Sequence, residues 1–251
     1  MYRLLAANGG CRERRNQLLH PAYTKPELLA TAPNQVWSWD ITKLKGPAKW
    51  TCFHLYVILD IFSRCVVGWL IALRESAELA RQLIAETVAR HAIAPGTLTL
   101  HADRGASMRS KPVAALLVDL DITKSHSRPH LSDDNPFSES QFKTMKYRPD
   151  FPARFGSIED ARALSSVLPL LQHRAPPLGY RYMTPHSVHH GQAQAMLVQR
   201  QATPDAAFLA HSNRFKNTNP QHHALPTTAW INPPPQEKHP ASAPQSCTVN
   251  S

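Results

Sequence analysis

The sequence predicts an α/β fold in which a mixed five-stranded sheet is flanked by helices. Residues 36–44 alternate bulky and polar side chains with the two-residue period of a strand. Residues 53–60 and 65–73 are nearly continuous apolar runs, which are typical of buried strands. Helical spacing and short strands then alternate as far as Tyr147. Three successive strands followed by this alternation favour a mixed sheet over a strictly parallel one.

The first three strands are predicted to be antiparallel neighbours. Residues 53–60 and 65–73 are joined by only four residues, a connection typical of a hairpin. Ser76 is a good N-cap residue, and the apolar residues that follow it recur at helical spacing. This pattern predicts a helix that ends before the turn formed by Pro95 and Gly96.

The remaining elements follow in the order strand, helix, strand, helix. Residues 97–101 predict a fourth strand, and a short apolar helix after Pro112 leads to a fifth strand within residues 121–127. Asn135 and Pro136, a cap residue followed by proline at the first helical position, predict a helix to about Tyr147. This order of elements is that of a ribonuclease-H-like core.

The composition of the chain divides it into four regions. Residues 1–33 are basic and punctuated by proline, which predicts one short helix and an extended lead-in. Residues 34–163 carry the predicted core, and residues 164–217 are predicted to be a helical region beside it. Residues 218–251 contain seven prolines in 34 positions, so this tail is predicted to be extended or disordered.

The charge of the chain is typical of a protein with a nucleic-acid partner, and a basic but unspecialised enzyme is the alternative interpretation. Lys and Arg outnumber Asp and Glu by 28 to 18, for a formal net charge of +10, and such a surface attracts polyanions. The four cysteines are scattered without zinc-ligand spacing, which favours reduced thiols. No stretch reaches the roughly 18 apolar residues of a membrane span, and no signal peptide is recognisable. We therefore expect no membrane partner and a cytoplasmic location.

Three acids occupy positions that predict a catalytic metal site. Asp40 interrupts the first strand, where Asp is disfavoured, Asp103 follows the fourth strand, and Glu139 lies in the last core helix. Clustered carboxylates repel one another unless a cation lies among them, and their hard oxygen ligands suit Mg²⁺ or Mn²⁺. Two such ions about 4 Å apart would support phosphoryl transfer. By contrast, Asp60, Asp133 and Asp134 are interpreted as turn or cap residues.

Basic residues near the acids are candidates for DNA binding. On the last helix, Lys143 and Lys146 share one face with Glu139, whereas Phe142 and Met145 share another. A solvated helix face and local turn chemistry are the alternative interpretations of such residues. Five residues are predicted to contact DNA phosphates: Lys143, Lys146, Arg104, Arg128 and His101.

Four segments resemble the integrase-core transposases of bacterial insertion sequences that are encoded by a second reading frame: NQVWSWDITKL, HLYVILDIFSRCVVGW, LTLHADRGASM and DDNPFSESQFKTMKYRPDFP. The resemblance runs from about residue 1 to 235. It implies that Asp40, Asp103 and Glu139 are the DDE triad and that Lys146 occupies the family's DNA-contacting position.

The resemblance also implies a reaction and a set of partners. Such enzymes use Mg²⁺ to cut and join DNA by attack of water and then of a 3′-hydroxyl, without a covalent enzyme intermediate. The implied partners are transposon ends and target DNA, other copies of the chain assembled on DNA, and the product of an upstream reading frame. The implied location is the bacterial nucleoid.

Two departures from the family pattern leave alternatives open. Residues 1–33 resemble only the end of the family's N-terminal DNA-binding region. Residues 164–179 differ from the family's aromatic helix in a way that two compensating frameshifts explain, and Pro176 and Pro177 would prevent that helix. We predict that this stretch is poorly packed. The alternatives are a damaged remnant that binds DNA without catalysis and a ribonuclease-H-like nuclease that only cuts.

Overall fold

A computed structural model defines the elements that position the site. It describes residues 24–129, 134–164, 183–215, 218–221 and 224–234, together with Ala7. The strands in this part of the chain are β1 (Leu28–Ala30), β2 (Val36–Lys45), β3 (Cys52–Asp60), β4 (Val66–Ala72), β5 (Thr99–Ala102), β6 (Thr123–His126) and β7 (Ala229–Ile231). The helices are α1 (Ala77–Arg90), α2 (Lys111–Asp119), α3 (Pro136–Lys146), α4 (Ile158–Ala163), α5 (Pro185–His189) and α6 (Ala193–Ala210), followed by a 3-10 turn (Ser212–Phe215).

The central sheet has the strand order β4-β3-β2-β5-β6. Strands β2, β3 and β4 are antiparallel neighbours, whereas β5 runs parallel to β2, and β6 runs parallel to β5. The first and fourth predicted strands, β2 and β5, therefore lie side by side. The predicted α/β fold with a mixed five-stranded sheet is confirmed.

Each face of the sheet carries its own apolar core. On one face α1 and α2 cover the large side chains of β2, β3 and β5: Trp37, Trp39, Tyr56, Ile58 and Leu100. On the other face α3 and α4 supply apolar residues to a second core: Phe137, Phe142, Met145 and Ala161. The burial of Phe142 and Met145 confirms the predicted division of α3 into an apolar and a polar face.

The start of α3 differs in one detail from the prediction. Asn135 is the N-cap residue and Pro136 follows it, as expected, but the Asn135 side chain makes no capping hydrogen bond. Instead its Oδ1 accepts a hydrogen bond from Ser38 at 2.5 Å, and its Nδ2 donates to the Trp39 carbonyl at 3.5 Å. A buried polar side chain must find partners, and here they lie on β2. Asn135 therefore docks the helix on the sheet rather than capping it.

A second, two-stranded sheet corrects the prediction for the C-terminal tail. Residues 229–231 form β7, which pairs antiparallel with β1, so this part of the tail is ordered. Ala30, Ala229 and Ile231 are buried in the core on the α3 side of the main sheet. The pairing joins residues about 200 positions apart and stabilises two strands that are too short to be recognised separately.

Two predictions concern residues outside the described part of the chain. These are the short helix expected near the beginning and the altered stretch 164–179, of which only Leu164 is described. Both remain predictions. Among the described helices, none is both long and apolar enough to cross a lipid bilayer.

Candidate active site

Asp40 and Asp103 meet because their strands are parallel neighbours. In the β2–β5 register Trp39 lies opposite Ala102, so the next residue on each strand is one of the two acids. Both acids line one cavity of about 120 Å³. The parallel pairing thus brings together two carboxylates that are 63 positions apart in the sequence.

Helix α3 lies along the same face of β2 that carries Asp40. The hydroxyls of Ser38 and Ser138 are 2.6 Å apart, and Lys146 Nζ donates to Thr42 Oγ1 at 2.6 Å. Ser38, Asp40 and Thr42 occupy every second position of β2, so their side chains lie on one face of the strand. From Ser38 to Thr42 the strand advances about 13 Å, and from Ser138 to Lys146 the helix advances about 12 Å. The helix and the strand therefore run side by side over this length. Glu139, on the same helix, is close enough to Asp40 for its charge to raise the pKa of that acid.

The electrostatic environment of Asp40 reflects its neighbours. The pKa of Asp40 is raised to about 7, mainly by burial and to a smaller extent by the nearby carboxylates of Asp103 and Glu139. A hydrogen bond from the Ile41 amide at 2.7 Å and the charge of Lys146 act in the opposite direction. The three carboxylates repel one another, and the burial of Asp40 disfavours its charged form. A bound divalent cation would reduce both effects.

Asp103 is oriented by a second layer of polar side chains. The Ser127 hydroxyl donates to Asp103 Oδ1 at 2.6 Å and lies 3.4 Å from His101 Nε2. The other contacts of His101 are to the Asp134 carbonyl at 2.9 Å and the Ser125 hydroxyl at 3.0 Å. His101 is fully buried, and this burial lowers its pKa. Its buried position behind Asp103 does not fit a direct contact of His101 with DNA, and that contact stays a prediction.

Arg128 also binds a buried group of the protein. Its backbone amide and guanidinium donate to the buried carboxylate of Asp134 at 2.8–3.0 Å, and this pairing holds the pKa of Asp134 well below its usual range. Asn232 donates to the same carboxylate at 2.9 Å. Asp134 was interpreted as a turn or cap residue, whereas here it joins the loop before α3 to β7. The geometry does not fit the predicted phosphate contact of Arg128.

Of the remaining basic candidates, the two lysines of α3 lie at the surface beside Glu139. Lys143 is largely exposed, with Nζ 3.9 Å from Glu139 Oε2, and Lys146 contacts β2 at Thr42. Both lysines line a surface groove with Glu139 and the exposed Tyr147. Arg104 Nε donates to the Ser127 carbonyl at 3.0 Å. Lys143 and Lys146 are thus the best placed of the predicted DNA-contacting residues.

One residue of the site was not predicted from the sequence. Glu75 lines the same cavity as Asp40 and Asp103, and it accepts a hydrogen bond of 2.6 Å from Ser107. Ser107 belongs to the loop that follows Asp103, so the contact joins this loop to the start of α1. In the sequence Glu75 simply precedes the N-cap residue of α1. It could not be predicted as a site residue, because its proximity to the cavity depends on the path of the chain across the sheet.

The donor set fits a hard divalent cation in its chemistry. The side chains around the cavity offer carboxylate oxygens, and hard oxygen ligands are those that Mg²⁺ and Mn²⁺ prefer. Within the described residues, no group of three or more Asp, Glu, His or Cys side chains is already arranged closely enough to hold an ion. Asp40 and Asp103, which share the cavity, are the residues best placed to begin such a site.

Comparison with known proteins agrees with this architecture. Residues 30–132 match the family model described as the integrase core domain. The chain is 35% identical over 117 residues to the transposase for insertion sequence element IS904 of Lactococcus lactis subsp. lactis, covering 47% of this chain and 45% of that protein. It is 32% identical over 137 residues to the transposase InsF for insertion sequence IS3A of Escherichia coli, covering 55% of this chain and 46% of that protein. The chain therefore spans about half the length of the curated relatives that it matches.

Solved structures agree at the level of the fold. A chain of the simian T-cell lymphotropic virus intasome, determined in complex with the PP2A regulatory subunit B56 gamma, superposes with a TM-score of 0.51 and 23% identity. The alignment covers 72% of this chain and 62% of that chain. The protein thus has the ribonuclease-H-like fold of retroviral integrases. More particularly, residues 30–132 match the integrase core domain model, and the chain is similar in sequence to transposases of bacterial insertion sequences.

Proposed function

We propose that this chain is the catalytic part of a transposase that cleaves DNA and transfers the cleaved strand to a new site. The observation that carries the proposal is the cavity shared by Asp40, within β2, and Asp103, directly after the end of the parallel strand β5, in a segment that matches the integrase core domain model. Glu139, on a helix in step with β2, completes the proposed set of catalytic acids. The proposed partners are transposon ends and target DNA, and we propose an oligomer of the chain on DNA.

The residues that would hold Mg²⁺ or Mn²⁺ are Asp40, Asp103 and Glu139. Bound divalent ions, two in the proposed site, would lower the pKa of an attacking hydroxyl and stabilise the charge that develops on the leaving oxygen. For the chain itself, Ser127 fixes the direction of the Asp103 carboxylate through its hydroxyl. A preorganised acid loses less entropy when it binds an ion or a substrate.

The reaction balances without a covalent enzyme intermediate. In the first step a water oxygen attacks a phosphodiester of one strand and the P–O bond to the 3′ oxygen breaks, which leaves one fragment of that strand with a free 3′-hydroxyl and the other fragment with a 5′-phosphate. In the second step that 3′-hydroxyl attacks a target phosphodiester, so one P–O bond forms and one breaks. Lys143 and Lys146, beside the acids, are placed to bind the phosphate backbone of this DNA.

The test is an end-joining assay with the full chain, Mg²⁺ or Mn²⁺, and labelled DNA carrying a free 3′-hydroxyl end. Asp40→Asn and Asp103→Asn should each abolish joining, whereas Asp119→Asn, a change of an exposed acid at the end of α2, should leave it unaffected. Mg²⁺ should also raise the midpoint of thermal unfolding of the unaltered protein but not of Asp40→Asn, because only binding to the folded state stabilises it.

The outcome also separates the alternatives. Metal-dependent cleavage without joining would favour a nuclease that only cuts. Binding of DNA with neither reaction would favour a catalytically inactive remnant. A version in which residues 164–179 are replaced by the sequence of the shifted reading frame would then test whether that stretch is the cause. Equal activity of Asp40→Asn and the unaltered chain would contradict the proposed acids.

A further inference from the structure

The turn between β2 and β3 displays a tryptophan in solvent. Trp50 is 90% exposed, and its backbone has a φ of +72°, a left-handed conformation that bulky residues rarely adopt. Lys49 Nζ lies 5.4 Å from the centroid of the Trp50 ring. A large aromatic side chain is therefore held in water on a strained backbone, and backbone strain of this kind clusters at functional sites.

The backbone of this turn is held in place by several hydrogen bonds. The Gly46 amide donates to the Thr51 carbonyl at 2.9 Å, and the Thr51 hydroxyl donates to the Ala48 carbonyl at 2.8 Å. Arg154 donates from one nitrogen to the carbonyls of Gly46 and Ala48 at 3.0 and 3.2 Å. A Cβ atom at Gly46 would lie 2.5 Å from Thr51 Oγ1, so glycine is needed there. These contacts fix the backbone that carries Trp50.

Between Asp40 and Asp60, the formally charged residues of the β2–β3 hairpin are all lysines. Residues 41–59 contain three lysines and no Asp or Glu, and all three lysines are exposed: Lys43, Lys45 and Lys49. Lys43 and Lys45 continue, beyond the edge of the apolar core, the strand face on which Trp37 and Trp39 are buried. An exposed aromatic ring among cations is the combination that binds single-stranded nucleic acid.

The hairpin also projects past the acids. Strand β5 ends at Ala102, opposite Trp39, whereas β2 continues to Lys45. The five residues from Asp40 to Lys45 extend about 17 Å, which corresponds to about five base pairs of duplex DNA. A DNA molecule that contacts the acids and lies along β2 would therefore reach the turn between β2 and β3.

We propose that the β2–β3 turn is a DNA-stacking element, in which Trp50 stacks on an unpaired base at least about five nucleotides from the reacting phosphate. The exposed lysines of the hairpin bind the adjoining backbone. The inference rests on the proposed function, because it assumes that DNA occupies the acids. An indole ring offers a large flat surface to any base, so the contact is independent of sequence.

The test compares Trp50→Gly and Trp50→Phe with the unaltered full chain. Glycine adopts the left-handed conformation without strain, so Trp50→Gly should keep the midpoint of urea unfolding. Dissociation constants are measured by fluorescence anisotropy at one salt concentration, on a duplex and on the same duplex with a short single-stranded gap. Trp50→Gly should weaken binding to the gapped DNA about fivefold or more and binding to the duplex less than twofold, and Trp50→Phe should remain close to the unaltered chain.

Val118→Ala, which changes another exposed apolar side chain, is the matched control and should alter neither constant. Unchanged binding of gapped DNA by Trp50→Gly would overturn the stacking role while leaving the proposed function intact. If Trp50→Gly instead changed only the oligomeric state in sedimentation, the turn would be a protein interface and the proposal would be wrong. Failure of the unaltered chain to bind any DNA would remove the proposed function itself.

Discussion

Lys146 Nζ donates a hydrogen bond to the Thr42 hydroxyl at 2.6 Å, which places the lysine one polar position beyond Asp40 on β2. Its charge favours the ionised form of Asp40 and opposes the effect of burial on the pKa of that acid. Burial in turn lowers the pKa of Lys146. The helix that carries Glu139 therefore also brings a cation to the acid whose pKa is raised by burial.

The raised pKa of Asp40 predicts a pH dependence of stability. Folded Asp40 keeps its proton up to a pH of about 7, whereas the unfolded chain releases it near its ordinary value, so the free energy of unfolding should fall as the pH rises between about 4 and 7. Without divalent ions, Asp40→Asn should remove this loss and be about 1–2 kcal/mol more stable than the unaltered chain at pH 8. Urea unfolding in a chelator at several pH values measures it. The same pH slope in both proteins would contradict the assignment.

The salt dependence of DNA binding tests the basic face of α3. Changing Lys143 and Lys146 together to alanine should reduce the slope of log K against log salt concentration by about 1–2, because each phosphate contact releases condensed counterions. The matched control replaces Arg90 and Lys111, two exposed cations on α1 and α2, and should leave the slope less affected. Equal slopes in all three proteins would show that α3 does not meet the backbone.

The hydrogen bond from Ser127 to Asp103 is expected to matter for the rate. Ser127→Ala should lower kcat for DNA joining about tenfold with little change in KM, since partners that orient a ligand commonly contribute this much. Ser127→Thr keeps the hydroxyl and should restore most of the rate. A parallel loss in both variants would indicate a packing effect, whereas full activity of Ser127→Ala would mean that Asp103 needs no such partner.

The Asp134 contacts should contribute to folding rather than to DNA binding. Asn232→Ala removes the donors to Asp134 and to the Pro26 carbonyl and should lower the free energy of unfolding by about 1–2 kcal/mol. Arg128→Ala should destabilise the fold as well and leave the salt slope unchanged. Because the pKa of Asp134 is depressed, its contribution should be present above about pH 4 and be lost as the pH falls further. A reduced salt slope in Arg128→Ala would restore the original DNA-binding prediction.

Local patterns were sufficient to predict most of the central architecture. The alternation in residues 36–44, the apolar hairpin and the Ser76 cap each depend on neighbours within a few positions, and all three are present in the structure. The proximity of Asp40 and Asp103 could also be predicted, because the first and fourth strands of a ribonuclease-H-like core lie side by side, as β2 and β5 do. That Glu139 joins them as a catalytic acid remains a prediction.

The tertiary structure decided the roles of residues whose partners are distant in the sequence. His101 and Arg128 were predicted to contact DNA because they are polar and lie near the acids, yet their partners are buried groups on other segments. The entry of Glu75 into the cavity and the pairing of β1 with β7 likewise require the folded chain. The sequence by itself determined the strands, the caps and the order that brings two acids to one edge, since these depend on local periodicity. Only the fold decided which polar groups are buried, because burial depends on what packs against them from elsewhere.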